Sequence, residues 1–169
     1  GENQAIGIAK RLLEGEPVAS ITDVRGTCYL VPTRDYRPGP AVECPSYEQV
    51  CADKRAYALS CRKQQDEQDA VRGKRVIQRH GNQILVQNPP MPPLTQKELD
   101  EVYDLPYERT YHPCYEKVGG VPAIQEVEFS ITHNRGCFGA CNFCSIAFHQ
   151  GRAVTTRSEE SVLREAKLL

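Results

Sequence analysis

Three cysteines lie close together in the last quarter of the chain, at the spacing C-x3-C-x2-C. They are Cys137, Cys141 and Cys144. Because so few residues separate them, one tight loop brings their thiolates toward a common centre, and Gly136 and Gly139 allow the backbone to curl around it. Zinc and iron–sulfur clusters both take cysteine thiolates as ligands. The spacing therefore predicts a metal site, and it constrains the fold of the segment around it.

The composition of the 169 residues excludes several other classes of protein. The 21 Lys and Arg against 22 Asp and Glu give a net charge of -1, which argues against a nucleic-acid-binding patch or an acidic membrane partner. No apolar run approaches the roughly 18 residues of a membrane helix, and no signal peptide is recognisable. We therefore expect a cytoplasmic protein without a membrane contact. In that compartment disulfides are uncommon, so a disulfide framework is the weaker interpretation of the eight cysteines.

Capping residues and apolar periodicity predict the helices. They are residues 4–13, a long helix from a capping box of Ser46 and Gln49 to about residue 69, a short helix from a capping box of Thr95 and Glu98, and a final helix capped by Ser158. The long helix would carry Cys51 and Cys61 too far apart to share a metal. The final helix would carry an apolar stripe of Val162, Leu163, Ala166 and Leu169.

Alternating and β-branched segments predict the strands. They are residues 27–31, a hairpin of 74–80 and 83–87 around Gly81-Asn82, and a strand over 126–132. The proline-rich segments 32–45 and 88–93 are predicted to be extended. The remaining cysteines, which show no ligand spacing, are interpreted as small packing side chains: Cys28, Cys44, Cys51, Cys61 and Cys114.

Three clustered cysteines do not by themselves identify the metal. A closed zinc site needs four ligands, so zinc would require Cys114, His133 or His149 as the fourth. A 4Fe–4S cube held by three cysteines leaves one iron free to bind another molecule. Three unliganded cysteines, or a disulfide with one thiol left over, are further alternatives.

Further segments carry a resemblance to a known family. Phe143 stands directly before the last cysteine, and the motif lies between a predicted strand and a predicted helix. The other segments are 130–132, 134–139, 142–145, 149–152 and 157–161 around the cysteines, and 78–81, 86–90 and 103–107 before them. Together they resemble the YgiQ family of bacterial radical S-adenosylmethionine (SAM) enzymes, over the whole length of the chain.

The resemblance implies a cofactor and a chemistry. The three cysteines would hold a 4Fe–4S cluster, the free iron would chelate SAM, and one electron from a donor would give a 5′-deoxyadenosyl radical. Phe143 would lie against the SAM adenine, although a core position at the cluster wall is an equal alternative. Arg152 could balance the negative cluster or lie in solvent, and His149 is expected to make loop hydrogen bonds. No catalytic side chain and no substrate follow.

The resemblance also implies an α/β fold assembled from parts of domains. Residues 1–31 would be the end of a cobalamin-binding-like, Rossmann-like domain, 32–125 a connector with a helix and a hairpin, and 126–169 the first βα unit of a radical SAM partial TIM-type barrel. We expect a fragment that holds the cluster and is inactive alone. The alternatives are a zinc-binding or interaction module without catalysis, and a metal-free connector.

Overall fold

A computed structural model describes residues 1–139, 141 and 143–169. The chain divides into two compact units, Gly1–Pro92 and Pro93–Leu169, which are described in turn. The fold is a mixture of helices with a small mixed sheet, in agreement with the predicted α/β class. Across the described residues, no helix is both long enough and apolar enough to span a membrane.

The first unit is organised around a four-stranded sheet. Its elements are α1 (Glu2–Leu13), a 3-10 turn (Val18–Ser20), β1 (Cys28–Pro32), β2 (Ala41–Glu43), α2 (Tyr47–Ala52), α3 (Lys54–Asp66), β3 (Arg75–His80) and β4 (Gln83–Gln87). The strand order is β1-β4-β3-β2, with β2 parallel to β3 and the other neighbours antiparallel. The hairpin predicted at Gly81-Asn82 is confirmed, and Gly81 takes a positive φ of 57° there.

The core of the first unit lies on one face of the hairpin strands. Ile84 and Val86 of β4 and Ile77 of β3 are its buried residues, with Tyr29 and Tyr36 packed against them. In β4 the buried residues alternate with more exposed ones, as expected for a strand that faces the core on one side. The apolar residues of the hairpin therefore determine where the core forms.

The helix predicted to run from Ser46 to about residue 69 is in fact two helices. The Ser46–Gln49 capping box starts α2 as predicted, but the chain is extended at Asp53, with φ −134° and ψ 119°. The Asp53 carboxylate then accepts a hydrogen bond from the Arg55 amide at 2.9 Å and starts α3. A polar side chain can cap a new helix by accepting hydrogen bonds from the first backbone amides of that helix. The break at Asp53 therefore satisfies an amide that a kink would leave without a partner. Cys51 and Cys61 therefore lie on different helices.

The predicted strand at residues 27–31 is confirmed as β1, shifted by one residue. It runs antiparallel to β4, with Tyr29 opposite Val86. The segment before β1 is tied to the end of β4 by Asn88, whose side-chain amide donates to the carbonyls of Thr22 and Val24 at 2.9 and 3.0 Å. Residues 1–31 are thus joined to the following hairpin by sheet and side-chain hydrogen bonds.

The second unit consists of short elements joined by long loops. They are α4 (Gln96–Tyr103), a 3-10 segment (Pro113–Val118), α5 (Ile124–Val127), β5 (Asn134–Arg135), α6 (Ile146–Gln150), β6 (Thr155–Thr156) and α7 (Glu159–Ala166). The helices predicted from Thr95 and Ser158 are confirmed, and both caps accept the expected backbone hydrogen bonds. Leu99 of α4 is fully buried.

The strand predicted over residues 126–132 is wrong. Residues up to Val127 belong to the short helix α5, and the chain then turns, with Ser130 donating its amide to the Val127 carbonyl. Alternation alone cannot form a strand, since a strand needs a neighbour to accept its hydrogen bonds. In the described part of the second unit, the sheet consists of β5 and β6. The first of these strands, β5, begins only at Asn134.

The residues that α7 buries are not those of its apolar stripe. The helix buries Ser161 and Glu165, while Leu163 is 52% exposed and Leu169 is 38% exposed. The buried face is polar because it pairs with Arg157, whose side chain is fully buried just before the helix. An unpaired buried guanidinium would be costly, so its partners must face inward with it.

Candidate metal centre

The loop that carries the cysteines is closed at its base by the β5–β6 ribbon. Asn134 pairs with Thr156 and Arg135 with Thr155 in antiparallel register. The Arg157 amide adds a hydrogen bond to the His133 carbonyl at 2.9 Å. The two ends of the loop that carries the cysteines are therefore held side by side.

Two further hydrogen bonds fasten the start of the loop to its end. The Cys137 amide donates to the Gly151 carbonyl at 3.1 Å, and the Gly136 amide donates to Gln150 Oε1 at 3.2 Å. Gly136 has a φ of 89°, and a Cβ there would collide with the Ala153 carbonyl oxygen. Only glycine fits this close approach of two backbones.

Gly139 lies between two of the predicted ligands. A Cβ on Gly139 would meet Cys137 Sγ at 3.4 Å and Cys141 Sγ at 3.6 Å, so both sulfurs face the same small space. The Gly139 amide donates to Cys137 Sγ at 3.4 Å, and Cys141 Sγ lies 3.8 Å from the Gly139 carbonyl. Cysteine sulfurs are ligand atoms that both iron–sulfur clusters and zinc accept, so the pair beside Gly139 is a candidate for part of such a site.

The third cysteine lies one turn further along the same loop. The Cys144 amide donates to the Cys141 carbonyl at 3.1 Å, and the side chain is half-buried. Within the described residues, no three His, Cys, Asp or Glu side chains converge closely enough to hold a metal. The structure thus brings the sulfurs of Cys137 and Cys141 together beside Gly139, and it does not group Cys144 with them as a third ligand.

The other residues discussed as ligands lie apart from the cysteines. The backbones of His133 and His149 make hydrogen bonds in the ribbon and in α6. The Cys114 amide donates to His112 Nδ1 at 3.1 Å, and Cys114 is exposed. Each of these contacts is local, and the part of the chain that the structure describes shows no fourth zinc ligand grouped with the cysteines.

Phe143 is far more exposed than a core residue. Its side chain is 92% exposed, and Phe138 in the same loop is 85% exposed. The alternative that Phe143 packs in a core at the cluster wall is therefore not seen in this chain. An aromatic ring next to Cys144 in the sequence and open to solvent is available to stack on another molecule.

The packing role predicted for the other cysteines is correct for Cys44. It is buried and its thiol points at the Ser60 carbonyl at 4.0 Å. Cys28, Cys51 and Cys114 are exposed instead, and Cys61 is half-buried.

A buried ion pair fixes the C-terminal end of the cysteine loop. The Arg157 guanidinium bonds to Glu165 and to Ser161 Oγ, and it donates to the Thr132 carbonyl at 3.1 Å. Arg109 bonds to the other Glu165 oxygen at 2.7 Å. The carboxylate is thus shared between two arginines, and the loop end is attached to α7.

The pKa of Glu165 reflects this environment. Burial tends to raise the pKa of the carboxyl, but hydrogen bonds and charge from Arg109 and Arg157 outweigh burial, and the pKa lies below its ordinary value of 4.5. Asp100 behaves similarly, since burial raises its pKa and the hydrogen bonds from Ser158 lower it below the ordinary value. Both carboxyls are therefore held as charged acceptors.

Sequence reasoning missed the contribution of α4 to this loop. The Tyr103 ring lies under two guanidiniums, at 4.2 Å from the Arg157 carbon and 5.6 Å from the Arg135 carbon. Asp100 Oδ1 accepts the Ser158 amide at 3.0 Å. A tyrosine at the end of an amphipathic helix carries no sequence signal for contact with two arginines more than thirty residues further along the chain.

The chain belongs to the Radical SAM N-terminal family, whose model matches residues 1–130. The cysteine loop lies beyond the matched segment. The membership confirms the radical SAM relationship predicted from the cysteine motif and its surroundings.

Curated relatives extend over the whole chain. It is 49% identical to a UPF0313 protein of Clostridium botulinum (strain 657 / Type Ba4), over all of this chain and 26% of the relative. It is 48% identical to a UPF0313 protein of Clostridium perfringens, over 98% of this chain and 25% of the relative. The chain therefore spans about a quarter of the length of these relatives. No solved structure matches it.

Proposed function

We propose that this chain is the part of a radical SAM enzyme that binds a 4Fe–4S cluster through Cys137, Cys141 and Cys144. The observation that carries the proposal is the pair of sulfurs facing Gly139, in a loop closed at its base. Family membership supports it, because radical SAM proteins generally use such a cluster together with SAM.

The residues of the loop contribute shape and hydrogen bonds to this site. The Gly139 amide, which points at Cys137 Sγ, stabilises negative charge on that sulfur. Gly136 and Gln150 keep the two ends of the loop in contact, so the ligands start from a fixed base. The chemistry that the cluster supplies when bound is reductive cleavage of SAM to a 5′-deoxyadenosyl radical.

The exposed ring of Phe143 is proposed to stack on the SAM adenine. The ring stands next to Cys144 and offers a flat apolar face without a competing nucleophile. The chemistry also needs an external electron donor, and the substrate is not defined by any feature of this chain. Solvent exposure of Phe138 and Phe143 is consistent with surfaces that the rest of a longer enzyme would cover.

The finer family assignment is proposed on the motifs around the cysteines. We propose that the chain is part of a YgiQ-type cytoplasmic enzyme. In this enzyme, residues 1–31 would form the end of a Rossmann-like domain, residues 32–125 a connector, and residues 126–169 the start of a partial barrel. Matches along the whole chain to relatives about four times longer support an arrangement in which this chain is one part of the catalytic protein.

Anaerobic reconstitution of the chain with iron and sulfide tests the proposal. We expect about four irons and four sulfides per chain and a visible charge-transfer absorption band. Cys137→Ala, Cys141→Ala and Cys144→Ala should each lose most of the bound iron. Cys114→Ala is the matched control, since it removes an exposed cysteine of the same unit, and it should retain the full iron content.

Two outcomes would contradict the proposal. Full iron and sulfide content in Cys137→Ala would show that the loop does not hold the cluster. Stoichiometric zinc without visible absorption, in protein purified without oxygen, would identify a zinc module instead.

A further inference from the structure

We propose that Cys137 and Cys141 form a reversible oxidation site, at which a small disulfide such as oxidised glutathione converts the two thiols of the metal-free chain into an internal disulfide. The inference rests on the proposed function only in that these residues are two of the three proposed cluster ligands. While the disulfide is closed, neither sulfur is a thiolate, so the cysteine loop cannot take up a metal until the disulfide is reduced.

The two sulfurs face one small space beside Gly139. A Cβ on Gly139 would lie 3.4 Å from Cys137 Sγ and 3.6 Å from Cys141 Sγ. The sulfurs are therefore at most about 7 Å apart, and a disulfide bond requires an approach to about 2 Å. Both cysteines are free in the structure, so the pair is present in its reduced form.

The backbone around the pair is irregular. Cys137, Gly139 and Cys141 belong to no helix or strand, so drawing the two sulfurs together breaks no helical or sheet hydrogen bond. The β5–β6 ribbon, which holds the two ends of the loop side by side, lies outside the segment between the two cysteines. The disulfide can therefore form without disturbing the base of the loop.

The structure favours a different pair from the one that the spacing favours. Cys141 and Cys144 have the C-x2-C spacing of dithiol oxidoreductases, which on sequence alone would make them the reactive pair. No atom of Cys144 lies within 4 Å of the Cβ position on Gly139, and the described residues contain no group of three metal-binding side chains. The geometry therefore leaves Cys144 as a free thiol.

The difference in exposure sets the order of the two exchange steps. Cys141 is exposed, so its sulfur attacks oxidised glutathione first, a mixed disulfide forms, and one glutathione leaves as a thiol. The half-buried Cys137 then displaces the second glutathione and closes the internal disulfide. Two cysteine thiols are oxidised and one glutathione disulfide is reduced to two thiols, which carry away the two protons.

The test uses the reduced, metal-free chain without oxygen. Oxidised glutathione is added, free thiols are blocked with iodoacetamide, and the disulfides are mapped by mass spectrometry. Chymotrypsin, which cleaves after Phe138 and Phe143, separates the three cysteines onto different peptides. We expect at least about ten Cys137–Cys141 bonds for every Cys141–Cys144 bond, because the exchange favours the thiol nearest the mixed disulfide.

Serine variants and urea separate a preformed pair from chance pairing. Cys144→Ser should form the disulfide at the wild-type rate, whereas Cys137→Ser should stop at a stable mixed disulfide on Cys141. In concentrated urea the preference should fall to about one to one, since two loops of similar length close with similar entropy. Cys114, exposed in the same unit, should join no other cysteine of the folded chain.

Three results would overturn the inference. They are a dominant Cys141–Cys144 bond in the folded chain, the same preference with and without urea, and a Cys144→Ser variant that stops at the mixed disulfide.

Failure of the inference can be distinguished from failure of the proposed function, because the disulfide is mapped before any iron is added. A chain that binds no iron but forms the Cys137–Cys141 bond would contradict the proposed cofactor and leave the oxidation site standing. A chain that takes up about four irons through the three cysteines but forms no such bond would contradict the oxidation site alone.

Discussion

At the scale of single residues, the cysteine loop depends on a glycine that is not a ligand. Gly136 combines a φ of 89° with a backbone so close to Ala153 that no side chain fits. The spacing of the cysteines predicts which residues would be ligands, whereas the residue that allows the loop to close is defined by its contact across the ribbon.

Gly136→Ala should destabilise the second unit. The positive φ and the collision with the Ala153 carbonyl both oppose a side chain, so we expect the free energy of unfolding to fall by about 2 kcal/mol or more. Chemical denaturation monitored by circular dichroism measures this change. Gly39→Ala is the control, because the described residues leave open space around Gly39, and an equal loss there would show that the effect is not local.

Glu165 is one residue through which the free energy of unfolding depends on pH. At pH 7, Glu165→Gln leaves the buried Arg157 charge without its partner and should cost about 3 kcal/mol. Because the folded pKa lies below the ordinary 4.5, the stabilisation is complete above that pH and is lost as the pH falls through the folded pKa.

The difference in unfolding free energy between wild type and Glu165→Gln should therefore narrow below about pH 4.5. Urea denaturation from pH 7 to pH 3 measures it. Glu126→Gln, an exposed carboxylate of the same unit, provides the comparison. A constant difference over the whole range would mean that the carboxylate does not stabilise the fold through its charge.

At the scale of elements, the break between α2 and α3 shows how one side chain divides a helix. At the end of α2, the Asp53 amide donates a hydrogen bond to the Gln49 carbonyl at 2.9 Å. At the start of α3, the Asp53 carboxylate accepts a hydrogen bond from the Arg55 amide. A single residue thus satisfies groups at two helix ends, which periodicity cannot reveal.

Asp53→Ala should lower the unfolding free energy by about 1 kcal/mol, the usual value of a lost N-cap. Asp53→Asn should retain most of the stability, because an amide oxygen also accepts the Arg55 hydrogen bond. Thermal unfolding of the three proteins measures the difference. If alanine proves more stable than wild type, the two helices have joined into the single one that the periodicity predicts.

At the scale of the whole molecule, large apolar side chains remain open to solvent. Phe129, Phe138 and Phe143 are 74%, 85% and 92% exposed, and the chain spans about a quarter of its relatives' length. Side chains this exposed bury little apolar area within the chain, so they contribute little to its stability.

Replacing Phe129, Phe138 and Phe143 by serine should leave the stability of this chain within about 0.5 kcal/mol, because exposed side chains contribute little. Leu99→Ala, at a fully buried position, should cost about 3 kcal/mol. The same triple variant should bind less of an apolar fluorescent dye than wild type. A large loss of stability would show that these rings are packed in solution.

The sequence by itself determined the parts of the protein that depend on neighbouring residues. The capping boxes at Ser46 and Thr95 and the hairpin at Gly81-Asn82 are local patterns, and the structure retains each of them. The interactions that form these features join residues only a few positions apart. They can therefore be predicted without knowing the fold.

Only the tertiary structure decided what depends on distant partners. The strand expected over 126–132 is absent from the described residues because no neighbouring strand pairs with it there, and α7 buries Ser161 and Glu165 because Arg157 does. Tyr103 reaches Arg135 across more than thirty residues of chain. Backbone hydrogen-bonding groups and buried charges need partners that are close in space. Those partners can lie far away in the sequence, so the local sequence pattern does not identify them.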